Sequence, residues 1–231
     1  MRGLPARPHS LTIVLVLAVS MAAVEAGQSP APARFEADIA AFEAEDRASP
    51  APAGAVLFVG SSSIRYWDVV AAFPGRRFVK RGSGGSHVSD TIHFADRLIA
   101  PYRPRLIVFY AGDADVAAGK TAAQIAADYK TLIAGIHARL PGARTIIIGT
   151  KPSPAHWTHI ETIRAANLAA AALAAADPLV EYADVEAALL GDDGRPRREY
   201  YAGNGLNLND QGYAAWTGAL RPIIERHWPT P

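Results

Sequence analysis

A chain of 231 residues that is half apolar and 19% charged is long enough to bury one sizeable core and short for two. Its 23 Lys and Arg against 22 Asp and Glu leave no broad field of either sign, which excludes nucleic acid and other polyelectrolytes as expected partners. The absence of cysteine removes disulfide frameworks, thiolate metal sites and thiol catalysis together, so any covalent chemistry must come from an oxygen or a lysine.

At the start of the chain, Arg2 and Arg7 precede an apolar run from Leu11 to Val24, broken only by Thr12 and Ser20. Val24-Glu25-Ala26 then ends on the small residue that a signal peptidase requires. Residues 1–26 read as a secretory signal, because the apolar core falls well short of the roughly 20 residues that span a bilayer. No stable membrane anchor is expected, and the mature protein is expected to be secreted or periplasmic. Residues 27–53 read as Pro/Ala linkers around a short helix at Phe35–Arg47, and residues 54–231 as the domain proper.

Five apolar runs of strand length follow, at Val56–Val59, Arg77–Val79, Leu106–Tyr110, Thr145–Ile148 and Leu179–Tyr182. Leu106–Tyr110 and Ile146–Ile148 do not alternate with polar residues, as expected of a parallel sheet covered on both faces. Between the strands lie helical patterns. Val88, Ile92, Ala95 and Ile99 share one face after the second strand. Thr121 and Gln124 form a capping box ahead of Ile125, Tyr129, Leu132, Ile133, Ile136 and Leu140. Ala165–Ala176 reads as a helix with Ile163, Leu168 and Leu173 as its apolar contacts, and Asn209 caps a last helix carrying Tyr213, Trp216, Leu220 and Ile224. The alternation predicts a three-layer α/β/α sandwich around a central five-stranded parallel sheet.

Ligands of such sheets bind outside the carboxyl ends of the strands. Ser62 falls immediately after the first strand at a helix start, where its hydroxyl is held on a rigid element and its N–H is free to donate to an oxyanion. A helix-capping role explains Ser61–Ser63 equally well. The Gly82-Ser83-Gly84-Gly85 loop lacks dinucleotide-binding spacing, and Asp113, Asp115 and His87 lack a repeated metal-ligand spacing. Neither a cofactor nor a metal is expected.

The combination is more specific than any one segment. Val56-Leu57-Phe58-Val59-Gly60-Ser61-Ser62-Ser63-Ile64-Arg65-Tyr66-Trp67 resembles the first block of the SGNH/GDSL hydrolases, in the variant with Ser in place of the Asp before the nucleophile. Arg81–Ser86 resembles the second block, Tyr110–Asp115 the third, and Asn204–Tyr213 the last. The resemblance implies a flavodoxin-like fold and hydrolysis of a small-molecule ester or acylated carbohydrate. It makes Ser62 the nucleophile and Gly85 an oxyanion donor. It also exposes three departures: Ala114 stands where the family has an oxyanion Asn, Asn204 where it has the Asp, and Asn207 where it has the His.

A side-chain amide has no basic lone pair to take the serine proton, so Asn207 is no general base. By comparison with serine proteases, losing the His costs on the order of a million-fold in turnover and losing one oxyanion donor about a hundred- to a thousand-fold. The expectation is a pseudohydrolase or very weak esterase. Two alternatives stand beside it: an active esterase whose base is relocated to His87 or His156, both read as surface loop residues, and a non-catalytic carbohydrate-binding module in which Trp67 or Trp157 lies near the polar cleft.

Overall fold

The computed structural model describes residues 32–52 and 54–228, so the signal expected at 1–26 lies outside the described residues. Strands β1 (Val56–Gly60), β2 (Phe78–Gly82), β3 (Leu106–Tyr110), β4 (Arg144–Ile148) and β5 (Val180–Ala183) pair in parallel in the order β2-β1-β3-β4-β5. The two-residue period of a strand divides their side chains between two cores. Leu57, Val59, Ile107, Phe109 and Ile147 face one helix layer, while Val56, Phe58, Leu106, Val108 and Ile146 face the other.

The first layer comprises α1 (Glu36–Ala48), α4 (Val88–His93), α5 (Ala95–Leu98), α7 (Ala122–Arg139) and α8 (Ile160–Ala176). The second comprises α2 (Ser62–Tyr66), α3 (Val69–Ala72), α9 (Glu186–Leu189) and α10 (Asp210–His227). The one-turn helix α6 (Asp113–Ala117) follows β3. Helix α7 carries the expected capping box, with the Thr121 N–H donating to Gln124 Oε1 (2.8 Å) and the Gln124 N–H to Thr121 Oγ1 (3.2 Å). Asn209 caps α10 by accepting from the Gly212 N–H at 3.1 Å.

Three local features depart from the sequence expectations. Strand β2 runs on to Gly82, because at a sheet edge Lys80 and Arg81 can pair in the ladder while their side chains reach elsewhere. The Lys80 ammonium donates to the Arg65 and Trp67 carbonyls, and the Arg81 guanidinium is held by Asp46 and Tyr102. The helix after β2 is two pieces, divided at buried Phe94. Leu168 is 71% exposed, so it is no core contact: Ile163, Ala166, Asn167 and Ala170 form the buried face of α8, and the Asn167 amide pairs with the N–H and C=O of Thr150. Helix α1, which the sequence places ahead of the domain, packs on this body through Ile39, 1% exposed.

The strand order reverses between β1 and β3, so the crevice for a ligand opens above the carboxyl ends of those two neighbours.

Candidate active site

Strand β1 ends at Gly60 with φ +140°, where a Cβ would run into the Tyr110 carbonyl oxygen at the end of β3. The glycine lets the two strand ends close up. Ser61 N–H then donates to Tyr110 O (2.9 Å) and Ser83 N–H to Gly60 O (2.8 Å), which ties β1, β2 and β3 together at one height. Helix α2 starts at the next residue. Ser61 and Ser63 are buried, whereas Ser62 is half-buried, and its N–H has no partner among the described residues.

Gly85 sits in the loop between β2 and α4 at φ +77°, the left-handed region that favours glycine. Its N–H also lacks a partner among the described residues, and its carbonyl accepts from the Arg34 guanidinium at 2.9 Å. Arg34 lies 3.4 Å from buried Asp90, whose carboxylate also accepts from the His87 N–H. Ala114 is half-buried in α6, directly after β3, and offers only a methyl group there.

The loop before α10 is shaped by its own hydrogen bonds. Asn204 Oδ1 accepts from the N–H groups of Leu206 and Asn207, both at 3.0 Å, so this side chain serves as a local turn cap. The Asn207 carbonyl accepts from Ala202 N–H, and its half-buried side chain has no partner among the described residues. Two contacts bring the loop and α10 back to the strand ends: Ala155 N–H donates to Gly205 O (3.0 Å), and the Tyr213 hydroxyl donates to Ser63 O (3.0 Å).

Beneath these residues lies a charged group that neither composition nor spacing signals. Lys151, fully buried, donates to Asp113 Oδ2 at 2.6 Å, and the Tyr110 hydroxyl donates to the same oxygen at 2.6 Å. Burial first, and the Asp113 charge second, hold the Tyr110 phenol well above its ordinary range, so it stays a donor. Asp113 Oδ1 and His156 Nδ1 are both buried without hydrogen-bond partners among the described residues, 4.0 Å apart. Burial pushes the His156 pKa below its ordinary 6.5 against the pull of Asp113, with Lys151 adding to the downward shift. The one clue in the sequence was a lysine and an aspartate just beyond two apolar strands, 38 residues apart.

Neither histidine sits as a surface loop residue. His156 is 15% exposed at its side chain, and His87 is buried at the start of α4, with Nδ1 3.6 Å from Asp115. Asp115 is already engaged by Lys120 (2.8 Å) and by the Val88 N–H (3.1 Å). Trp67 is 1% exposed and donates its indole N–H to Thr217, so it presents no ring face to a ligand, whereas its neighbour Tyr66 is 55% exposed. Among the described residues, no helix is long and apolar enough to cross a membrane.

Comparison with known proteins places the fold. A Streptococcus pneumonia protein named for platelet activating factor superposes with a TM-score of 0.74 at 20% identity, over 82% of this chain and 92% of that one. A GDSL-like lipase from Bacteroides thetaiotaomicron gives 0.66 at 17% identity, over 82% and 98%. A carbohydrate esterase family 3 protein from Talaromyces cellulolyticus gives 0.60 at 17% identity, over 76% and 99%. These likenesses establish the fold. No curated protein matches the chain in sequence. The model of the GDSL-like Lipase/Acylhydrolase family matches residues 59–215, from the end of β1 into α10, and this chain belongs to that family.

Proposed function

We propose that the protein is an exported, very weak ester hydrolase, acting on a small acyl ester or acylated carbohydrate through Ser62. Attack of Ser62 Oγ on the acyl carbon would place negative charge on the former carbonyl oxygen, within the field of the free Ser62 and Gly85 N–H groups. The Oγ proton must leave as that bond forms, and it must reach the departing alcohol when the C–O bond breaks. One observation carries the reading: at the two positions from which the family draws its acid–base pair, Asn207 offers an amide and Asn204 has its oxygen committed to two backbone N–H groups. The nucleophile and part of the oxyanion hole remain, and the proton-handling pair is gone.

The test is labelling by a fluorescent alkyl phosphonate, followed by turnover of a short-chain aryl ester panel. Slow labelling that Ser62→Ala abolishes, with turnover barely above buffer, is expected. Labelling that persists in Ser62→Ala would remove Ser62 from the mechanism.

A second reading, an active esterase with a relocated base, draws on the His156–Asp113 pair. A small rotation would let Nδ1–H donate to the vacant Asp113 oxygen and leave Nε2 basic. Because burial holds His156 neutral, its contribution would persist below pH 6.5 and vanish only as acid protonates the ring. Robust turnover that is lost in His156→Gln favours this reading over the first.

A further inference from the structure

A cavity of about 560 Å³ runs between α2–α3 and α10. That is within the range of small-molecule sites. Its lining includes Tyr66, which follows the candidate nucleophile in α2. Ser62 and Tyr66 are four residues apart in α2 and therefore share a face, one turn from each other. Asp210 opens α10 immediately after the 204–209 loop, and its carboxylate has no hydrogen-bond partner among the described residues. From there Ala214, Gly218 and Arg221 follow at helical spacing along the groove.

Two residues in this groove are not explained by folding. Tyr66 is a residue 55% exposed beside a tryptophan that is fully packed. Gly218 lies inside α10, where glycine is less favourable than alanine, yet among the described residues nothing stands within 4 Å of the place a Cβ would occupy. Packing does not require that glycine. What the missing side chain leaves is open space in the groove that Tyr66 also lines.

The lining selects a chemistry. An exposed aromatic ring offers a flat apolar face, and the Asp68 and Asp210 carboxylates accept hydrogen bonds from hydroxyls. The same carboxylates repel anions, because the guanidinium of Arg221 is already held by the Ala72 carbonyl and Glu225. A phosphorylated headgroup or an acidic sugar is disfavoured, and a pure acyl chain would leave the carboxylates desolvated. We propose that this groove binds a neutral oligosaccharide, as the alcohol side of an acylated carbohydrate whose ester is presented to Ser62. The proposal rests on the ester-hydrolase reading for its orientation, but the binding itself does not.

Isothermal titration calorimetry of the mature protein with cellotetraose, xylotetraose and chitotetraose tests it. At least one should bind with a Kd of about 10 mM or tighter. Tyr66→Ala should weaken that binding about tenfold or more, Tyr66→Phe should retain most of it, and Gly218→Leu, which fills the groove, should abolish it. Circular dichroism of each variant checks that it is folded. No heat with any tetrasaccharide, or binding that survives both Tyr66→Ala and Gly218→Leu, overturns the proposal, as does preferential binding of a short-chain lysophospholipid below its micelle concentration. Phosphonate labelling of Ser62 is read separately, so failure of the groove and failure of the hydrolase reading give different results.

Discussion

Restoring the acid–base pair is the most demanding test of the reading, and the structure shows why the substitutions should be tolerated. In Asn204→Asp, one carboxylate oxygen can keep both bonds that Asn204 Oδ1 now accepts from Leu206 and Asn207, leaving the second oxygen free. At position 207 the backbone is fixed by the Ala202 N–H bond and by the neighbouring Tyr201–Leu208 bridge, so Asn207→His changes only a half-buried side chain that holds no partner. Ala114→Asn adds an amide to a half-buried position in a one-turn helix. Asn207→His alone should raise aryl-ester turnover modestly, because an imidazole without its carboxylate is held in no fixed tautomer. In serine proteases replacing that carboxylate by an amide costs about 10⁴-fold, which bounds the further gain from Asn204→Asp. Ala114→Asn should then add about 100- to 1,000-fold, or roughly 2.7–4 kcal/mol, as a third oxyanion donor. The gains should exceed the product of the single effects, since these groups act as a unit. The assay is initial-rate hydrolysis of p-nitrophenyl acetate by the singles, doubles and triple, with Ser62→Ala in the triple background as the zero. A folded triple variant no faster than the parent would refute the assignment of these three positions.

Gly60→Ala should destabilise the fold by on the order of 3 kcal/mol, because both its φ and the Tyr110 carbonyl oppose a side chain, whereas Gly85→Ala meets only the φ penalty and should cost about 1 kcal/mol by urea denaturation. Arg34→Ala should change stability by less than about 1 kcal/mol, as its ion pair is 38% exposed on the arginine side, but should slow phosphonate labelling of Ser62 about tenfold by freeing the Gly85 loop. Burial lowers the pKa of both His87 and His156 from 6.5, so the unfolded chain binds those protons more readily than the fold does. Their effect on stability is absent above pH 6.5 and grows as a loss below it, and the denaturation midpoint should fall between pH 7 and 5.5 by less in His156→Gln than in the parent.

Much of the architecture is legible in the sequence because local chemistry and tertiary need coincide. The Thr121–Gln124 box and the Asn209 cap are written in adjacent residues and recur in the structure with the expected partners. The failures have a common origin in partners distant along the chain. Lys80 and Arg81 look like loop residues until Trp67 and Asp46 are brought to them, and Leu168 looks like a core residue until Asn167 is seen to take the buried face. The candidate site divides in the same way. Strand–turn grammar places Ser62 at a helix start and the family resemblance singles out Gly85, but Arg34 on the Gly85 carbonyl spans 51 residues, and Lys151 reaches Tyr110 across 41. No spacing rule connects them.

Three of the four tryptophans, Trp67, Trp216 and Trp228, lie in one aromatic cluster, in which Trp67 and Trp216 stand edge-to-face with centroids 6.2 Å apart and Phe58 and Phe73 fill the gaps to Trp228. The fourth, Trp157, follows His156 in the segment bonded to the 204–209 loop, with the Arg164 and Arg195 guanidiniums over its ring. The molecule is thereby built with two separate optical reporters. The near-ultraviolet circular dichroism is set by the rigid cluster and registers the integrity of one core, while a change in emission that disappears in Trp157→Phe isolates the loop that frames the cleft. Unfolding of the sandwich and movement at its mouth can therefore be followed in one sample without an added label.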